Sequence, residues 1–299
     1  MNIESLRMFI KIVDNGSITK TAEQTYISQS ALSQQIKTME QLFNTQLIER
    51  SNRGVTLTCN GKVVYEYARH LTSTYDSMIR EIQENEESNR VLHILSTPII
   101  ASYALPCTLY YVKKNFPTYS LEISSVASAR IEQQINCDQG DIGFISGPPS
   151  DPSLTGQKVF SDDVFLVAGS EMNIADTIHK KDLYHHPLLT LTSDQRTEQH
   201  LEKRLFEEGI DPDRLMIMFK QDSIESIKLS TMNGYGMAFL PYMCIKKELY
   251  HKQLKIIGVE EMALHNDYYI IKKKASEYRD RTLLKLTSYI EKILADTIC

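Results

Sequence analysis

The chain has 299 residues, of which 42% are hydrophobic and 24% charged, and its formal net charge is −5. This length allows two or three structural units with a sizeable core, and the composition is that of a globular protein. The acidic balance argues against a protein that coats nucleic acid over its whole surface, although one small DNA-binding module is compatible with it.

Cysteine usage and the N-terminus bear on the compartment. The five cysteines are odd in number and form no CxxC pair, so we expect reduced thiols rather than a disulfide framework or a structural zinc site. The N-terminal stretch lacks the pattern of a signal peptide, and no apolar run reaches the roughly 18 residues of a membrane span. We therefore expect a cytoplasmic protein with no membrane partner.

The first 58 residues predict three helices and a hairpin. Apolar residues recur at helical spacing from Leu6 to Val13, and Gly16 ends that helix. Ser17 and Ser28 stand where N-cap residues belong, ahead of two helices joined by a short turn, which is the pattern of a helix-turn-helix. The turn signal "SNRG" between alternating apolar and polar residues predicts a small hairpin, or wing.

The second and third helices each have one apolar side that we expect to face the core. Its members are Ile18, Ala22, Tyr26, Leu32, Ile36, Met39, Leu42 and Phe43. Short neutral polar side chains crowd the start of the third helix, where a solvated surface helix usually carries Lys and Glu. In a helix-turn-helix this start enters the major groove, and Gln forms a bidentate pair with adenine.

A heptad pattern follows in residues 59–88. Its apolar positions step by four and three residues and are Val64, Ala68, Leu71, Tyr75, Met78 and Ile82. Such a pattern indicates a long helix that packs on a partner helix, which would make a dimer. A seam that packs within the chain is the alternative.

From residue 90 onward, β-type runs alternate with helical patterns. The predicted strands are "VLHILS", "LEISSV", "DIGFIS", "DVFLVAG", "HPLLTLT", "RLMIMF", "GMAFLP" and "DYYIIKK", and a last helix is predicted over 276–295. This alternation favours a mostly parallel sheet with helices on both faces, in two sub-lobes with a cleft between them. The lobes would join at "FSDDVF" and near "MALHNDYY".

The N-terminal stretch from "LRMFIKIVDN" to "VVYEYAR" resembles the LysR-type transcriptional regulators. The residues that carry the resemblance are Phe9, Gly16, Ser17, Ala22, Ser28, Gln29, Ala31, Leu32, Ser33, Ile36, Glu40, Leu47, Arg50, Thr56, Thr58 and Gly61. Further on, "NFPTYSLEI", "GDIGF", "FLVAG" and "MNGYGMAFLP" fall in the family's order. Two departures occur: the family often has Pro where Ser30 stands, and a basic residue where Gln34 or Gln35 stands.

The resemblance implies an α+β and α/β architecture in three parts. These are a winged helix-turn-helix (1–58), a linker or dimerisation helix (59–89), and a two-lobed effector domain like a periplasmic binding protein (90–299). Lobe I would cover about 90–161 and 266–299, and lobe II about 162–265. The implied function is operator binding by a dimer or tetramer, modulated by a small metabolite, with RNA polymerase as a further candidate partner.

Candidate DNA-binding residues lie at the helix starts, along one helix face and at the wing. We expect Gln29, Ser30, Ser33 and Gln34 to face the bases, with a helix-turn-helix over about 18–37. The residues expected at phosphates or nearby backbone are Ser17, Thr19, Ser28, Lys37, Arg50 and Arg53. An internal ion pair is the alternative role for Arg50.

The charge of this head is small. Through residue 58, six Lys and Arg residues stand against five Asp and Glu residues, which leaves a net +1. Because each neutralised phosphate adds affinity, we predict modest affinity per head and dependence on multimers.

Hydroxylated residues follow the predicted strands of the effector domain. In open α/β sheets ligands bind beyond the carboxyl ends of the strands. We therefore expect an effector site at Ser96, Thr97, Ile99, Ser128, Ser146 and Thr192. Without a carboxylate among them, these residues favour an anionic or zwitterionic metabolite, with Arg130 and Arg196 as candidate counter-ions. A solvated surface position is the alternative for each of these two arginines. The alternative is that the hydroxyls only cap helices.

An enzyme and a solute-binding protein are the two alternatives to a regulator. GxGxxG, Walker A, GxSxG and HExxH are absent from the sequence, so an enzyme, a cofactor and a metal site are not expected. A solute-binding protein would need an export signal and no helix-turn-helix. Deletion of residues 1–58 discriminates, since only a regulator would thereby lose operator affinity.

Overall fold

The computed structural model describes residues 2–298 apart from 52–53, 87–89, 193 and 275–280. Two compact units are present: Met1–Glu87 with Cys137–Gln139, and Ser88–Asn136 with Gly140–Cys299. The predicted division at 58, 89 and 161 was drawn from sequence and stays a prediction.

The first unit contains the predicted helices and hairpin. Its elements are α1 (Ile3–Asn15), α2 (Ile18–Thr25), α3 (Gln29–Phe43), β1 (Ile48–Ser51), β2 (Gly54–Leu57) and the long α4 (Cys59–Glu86). Ser17 and Ser28 cap α2 and α3, because their hydroxyl oxygens accept the N–H groups of Lys20 and Ala31, each at 3.2 Å. β1 and β2 pair antiparallel and form the wing.

Apolar residues of α1 and α3 pack on the hairpin and on the start of α4. The core includes Leu6, Phe9, Ile12, Leu32, Ile36, Met39, Leu47, Ile48 and Ala68. Three residues predicted to face this core do not: the exposed fractions are 97% for Tyr26, 59% for Leu42 and 40% for Phe43. Tyr26 ends α2 in the left-handed conformation (φ 56°), which turns its ring outward. Leu42 and Phe43 lie on the last turn of α3, where the chain leaves for β1.

Backbone contacts fix the wing on the helix-turn-helix. The Val55 N–H donates to the carbonyl oxygen of Gly16 at 2.8 Å. Gly54 adopts φ 120°, and a Cβ there would lie 2.4 Å from the same Gly16 oxygen, so both conformation and space require glycine. At the other end of the hairpin, Glu40 Oε1 accepts the Leu47 N–H at 2.9 Å, which joins the end of α3 to the strand.

The second unit alternates strands and helices. The strands are β3 (Arg90–Ser96), β4 (Tyr119–Ser125), β5 (Ile142–Ser146), β6 (Leu154–Gly169), β7 (Thr177–Ile178), β8 (Leu188–Leu191), β9 (Ile217–Gln221), β10 (Ala238–Pro241), β11 (Leu254–Val259) and β12 (Leu264–Lys273). The helices are α5 (Pro98–Tyr103), α6 (Leu105–Asn115), α7 (Ser128–Asn136), α8 (Gln195–Glu207), α9 (Ile224–Met232), α10 (Tyr242–Tyr250) and α11 (Arg281–Ile293).

The main sheet of this unit is mixed rather than mostly parallel, which corrects the prediction. Its order is β4-β3-β5-β12-β6-β11-β7, with β10 also paired to β6, and β8 pairs with β9 in a separate sheet. Strands β3, β4 and β5 run parallel. The long β6 and β12 pair antiparallel along their length, from Leu264 opposite Val164 to Lys273 opposite Leu154. The two segments in which the crossings between lobes were predicted lie on these paired strands: "FSDDVF" on β6, and "MALHNDYY" at the start of β12.

Two local features differ from the sequence prediction. β11, which pairs antiparallel with β6, was missed because its apolar run is short and follows a charged helix end. Cys107 in α6 is disulfide-bonded, against the expectation of reduced thiols. Cys59 and Cys244 are free thiols.

Candidate DNA-binding surface and effector pocket

The start of α3 presents the predicted polar residues to solvent. Gln29, Ser30, Gln34 and Lys37 are exposed, whereas Leu32 is fully buried on the opposite side of the helix. The structure therefore brings these four side chains to one outward surface, held by the core behind them. Their contact with bases stays a prediction.

Ser33 and Arg50 are brought together by the wing. Arg50 Nη1 donates to Ser33 Oγ at 3.3 Å, which joins β1 to the middle of α3. Arg50 thus makes this hydrogen bond in place of the ion pair considered as its alternative role, and its guanidinium charge stays exposed beside the helix. Ser28 Oγ and Ser30 Oγ lie 3.0 Å apart at the start of α3. Arg53, the predicted wing residue, lies outside the described residues.

The start of α2 and the turn after it add to this surface. Thr19 is exposed, and Ser17 is half-buried with its hydroxyl on the helix cap. Tyr26, which was not predicted as a site residue, has a fully exposed phenol in the turn just before α3. Only its place within the turn could have indicated this, because apolar spacing assigned the ring to the core.

Structural contacts occupy part of the head's small positive charge. Arg7 of α1 forms an ion pair with Asp76 of α4, so this cation is committed to packing α1 on α4. Glu40, one of the acidic residues counted in the head, accepts backbone N–H groups at the base of the wing. The cations left for phosphates are thus fewer than the sequence count implies.

The heptad pattern of α4 divides into two parts. Val64 and Ala68 pack against the core of the head. Beyond them, the seam is exposed at Leu71 (52%), Met78 (47%) and Ile82 (52%). A row of exposed apolar side chains at heptad spacing is the surface that a partner helix covers.

The predicted effector residues are largely buried. Ser96, Thr97, Ser128 and Ser146 are each at most 4% exposed. The Thr97 N–H donates to the Phe144 carbonyl at 3.2 Å, and the Ser96 hydroxyl donates to the Thr97 carbonyl at 3.2 Å. The hydroxyl of Ser146 has no hydrogen-bond partner among the described residues.

The Asp194 carboxylate lies at the start of α7, where an acidic ligand would otherwise bind. Its carboxylate accepts the Ser128 N–H at 3.1 Å and the Ser128 hydroxyl at 2.6 Å. The Thr197 hydroxyl donates to the same carboxylate at 2.9 Å, and Asp194 is only 5% exposed. Ser128 therefore binds a carboxylate, as its position at a helix start favours, but that carboxylate belongs to the chain itself.

A buried ion pair reinforces this junction of α7 and α8. Arg196 pairs with Glu132, whose carboxylate also accepts the N–H groups of Ser150 and Asp151. Arg196 is therefore engaged by Glu132 and is not free to neutralise a ligand, which differs from the counter-ion role considered for it. Arg130 is exposed.

A cavity of about 280 Å³ lies between α8, β8 and β9. Its walls are mainly apolar and include Leu189, Leu191, Leu201, Leu215 and Phe239. Of the predicted effector residues, only Ile99 lines it. Thr192 lies at the end of β8, where its N–H donates to the Gln221 carbonyl at 2.7 Å.

Two family models match the chain. The model "Bacterial regulatory helix-turn-helix protein, lysR family" matches residues 3–62, and the model "LysR substrate binding domain" matches residues 85–286. Within the described residues, no group of three or more His, Cys, Asp or Glu could hold a metal ion. No helix in the described parts of the chain is long and apolar enough to cross a membrane.

Curated relatives match nearly the whole chain. A "Probable RuBisCO transcriptional regulator" from Phaeodactylum tricornutum is 28% identical over 301 residues, covering 97% of this chain and 98% of the relative. The "HTH-type transcriptional regulator CysL" from Bacillus subtilis is 27% identical over 267 residues, covering 88% of each.

Solved structures share the fold. The crystal structure of CbnR, a LysR family transcriptional regulator, has a TM-score of 0.69 at 16% identity and covers 99% of this chain and 100% of its own. Full-length CbnR complexed with its target DNA has a TM-score of 0.56 at 18% identity, with 98% and 99% covered. The chain thus belongs to the LysR family of transcriptional regulators, which are not enzymes, and combines a helix-turn-helix DNA-binding domain with an effector-binding domain.

Proposed function

We propose that this regulator reads its operator through the exposed start of α3, with the turn and the wing on the flanking backbone. The observation that carries the proposal is the outward cluster of Gln29, Ser30, Gln34 and Lys37 on a helix whose rear is buried. Gln offers both a donor and an acceptor to adenine, and Lys37 is a cation for phosphate. Tyr26, beside the same helix start, supplies a hydroxyl and a ring near the backbone.

The operator is first selected from a random duplex library with the full-length protein, and binding is then measured by fluorescence anisotropy. Gln34→Ala should lower the affinity for the selected operator by about ten-fold and relax the base preference at one base pair. Lys37→Ala should weaken all sequences alike and lower the dependence on salt. Gln41→Ala, on the exposed far end of the same helix, is the matched control. If Gln34→Ala leaves operator affinity and base preference unchanged, Gln34 does not read a base.

We infer that the working form is at least a dimer, formed by a second copy of α4 on the exposed seam. The seam supports a helix pair, and few cations remain for phosphates on one head. The protein then acts wherever its operator DNA resides, in line with the cytoplasmic location predicted from sequence. Whether α4 pairs further into a tetramer, and whether RNA polymerase is contacted, belong to the same proposal and need separate binding tests.

The effector role belongs to the second unit. The cavity between α8 and the β8–β9 pair is of the size that small ligands occupy. The anionic or zwitterionic class predicted from sequence stays a prediction, although two of its groups are engaged within the chain: Asp194 accepts from Ser128, and Arg196 pairs with Glu132. Ligand-dependent change in operator footprint is the test of this role.

A further inference from the structure

The charges around the cavity are unbalanced. Carboxylates line it at Asp194, Glu198, Glu202 and Asp213, and Lys220 is the only basic residue among its described lining residues. Lys220 is already paired, since its Nζ lies 2.9 Å from Glu198 Oε1. This contact raises the pKa of Lys220, so its charge stays on the lysine and remains matched to Glu198. The lining therefore offers a ligand no uncommitted cation, while Glu202 and Asp213 stay exposed at the edge.

The start of α7, which Asp194 of the cavity lining contacts, is also closed to anions. The N–H and hydroxyl of Ser128 are satisfied by the buried Asp194 carboxylate. A second carboxylate placed there would meet the Asp194 charge at short distance without a donor to stabilise it, which is unfavourable in a buried site. An acid would therefore lose its hydration in this cavity and find no unpaired cation among the described lining residues.

We propose that this cavity binds a small apolar molecule that is uncharged or carries one ammonium group, and that it excludes carboxylates. The leucine-rich walls cover the hydrocarbon part, and Glu202 with Asp213 attract the ammonium group from the edge. The inference rests on the proposed effector role of the second unit and adds the chemical class of the ligand.

Three six-carbon probes that differ only in their head group test the class directly. Full-length protein is titrated with n-hexylamine, n-hexanol and hexanoate at about pH 7.5 and one ionic strength, where the amine is protonated and the acid ionised. Isothermal calorimetry and thermal unfolding should show hexylamine and hexanol binding, with Tm raised by a few degrees, and no effect of hexanoate. Hexanoate binding as tightly as hexylamine, or no binding by any probe, would overturn the proposal.

Paired variants locate the binding. Leu201→Phe fills the cavity and should abolish binding of hexylamine and hexanol, whereas Leu229→Phe, on the exposed face of α9, should leave both unchanged. Glu202→Gln should lower the affinity for hexylamine by about two- to five-fold and leave the affinity for hexanol unaltered. Glu207→Gln, exposed on the same helix outside the lining, is its control. The Glu202 pair keeps the test decisive even if Leu201→Phe fails to fold.

Failure of the ligand class and failure of the effector role give different results. If hexanoate binds and alters the operator footprint, the effector role stands and the class is wrong. If hexylamine binds with the expected response to Leu201→Phe but leaves operator affinity unchanged, the class stands and the effector role fails.

Discussion

At the scale of single residues, Asp194 determines how the start of α7 is used. Its buried carboxylate accepts three hydrogen bonds, two from Ser128 and one from Thr197. Charge-assisted bonds of this kind are stronger than neutral ones, and their loss leaves buried donors without partners. The residue thus fixes α8 to α7 by the chemistry that would otherwise retain an acidic ligand.

Removal of this carboxylate should lower stability and create a site for a free acid. We expect Asp194→Gly to reduce the free energy of unfolding by about 1–3 kcal/mol, since the Ser128 donors lose their acceptor. Millimolar acetate should restore part of the lost Tm, and acetamide of the same shape should not. Asp213→Asn, an exposed carboxylate of the same cavity, is the control. Equal effects of acetate and acetamide would contradict this role.

Asp162 on β6 gives a dependence of stability on pH. Burial raises the pKa of its carboxyl to about 6. The unfolded chain releases this proton near the ordinary value of about 3.9, so between about pH 4 and pH 6 the folded state binds the proton more tightly. The contribution of this group to stability is therefore complete below about pH 4 and is lost as the pH rises through about 6.

Asp162→Asn should remove that dependence, since asparagine stays neutral and still accepts the Met243 N–H that Asp162 accepts at 3.1 Å. The difference in Tm between the variant and the parent protein should grow in favour of the variant from about pH 4 to about pH 7. Asp163→Asn, its exposed neighbour, is the control. A difference that is flat with pH would assign the pH dependence to other groups.

Sequence predicted best what local chemistry decides at single positions. Ser17 and Ser28 cap their helices as predicted, because a hydroxyl before a helical pattern acts on N–H groups three residues away. The prediction that Tyr26 faces the core was wrong. The spacing of apolar residues does not reveal that the backbone of Tyr26 adopts the left-handed conformation. The pairing of Asp194 with Ser128 joins residues 66 positions apart and could not be found from local pattern.

At the scale of elements, α4 combines two packing surfaces in one helix. Its first turns pack on the head through Val64 and Ala68, and the later seam is exposed. Heptad spacing predicted the helix and the seam together, but it could not show which heptads the chain covers itself. The same limit applied to β6, because Ser161, Asp162 and Asp163 interrupt its apolar run and hid that one strand spans Leu154–Gly169.

Charges placed on the exposed seam should separate the protomers. We expect the pair Leu71→Glu and Met78→Glu to convert a dimer or larger assembly into a monomer, since it buries repelling charges at the centre of the contact. Sedimentation velocity measures the outcome. Val63→Glu is the matched control, because Val63 is exposed on α4 but lies outside the heptad positions. An unchanged sedimentation coefficient in the double variant would show that another surface holds the assembly.

At the scale of the whole molecule, the distribution of charge explains why copies must act together. The chain is acidic overall, with a formal net charge of −5, and the head has little excess positive charge. One of the head's cations, Arg7, is paired with Asp76. Affinity for DNA then comes from several heads on one site, where the second contact benefits from the first. The two-unit organisation was predictable from the change of pattern along the chain, whereas the mixed sheet was not, because strand direction depends on long-range pairing.

The salt dependence of operator binding should report the number of heads engaged. The Leu71→Glu and Met78→Glu monomer should bind the selected operator at least about 100-fold more weakly than the parent protein. The slope of log K against log salt should fall to about half of that of a dimer, because half as many phosphates are neutralised. Nanomolar binding by this monomer in physiological salt would refute the dependence on multimers.

The hydrogen bonds between the wing and the helices limit how operator preference could be engineered. Arg50 of β1 donates to Ser33 in the middle of α3, and Val55 of β2 donates to Gly16 in the turn before α2. A graft of α3 alone into a related regulator would leave a guanidinium facing a new side chain at position 33. Transplanted specificity should therefore require residues 16–57 to be exchanged as one cassette, with Gly54 retained.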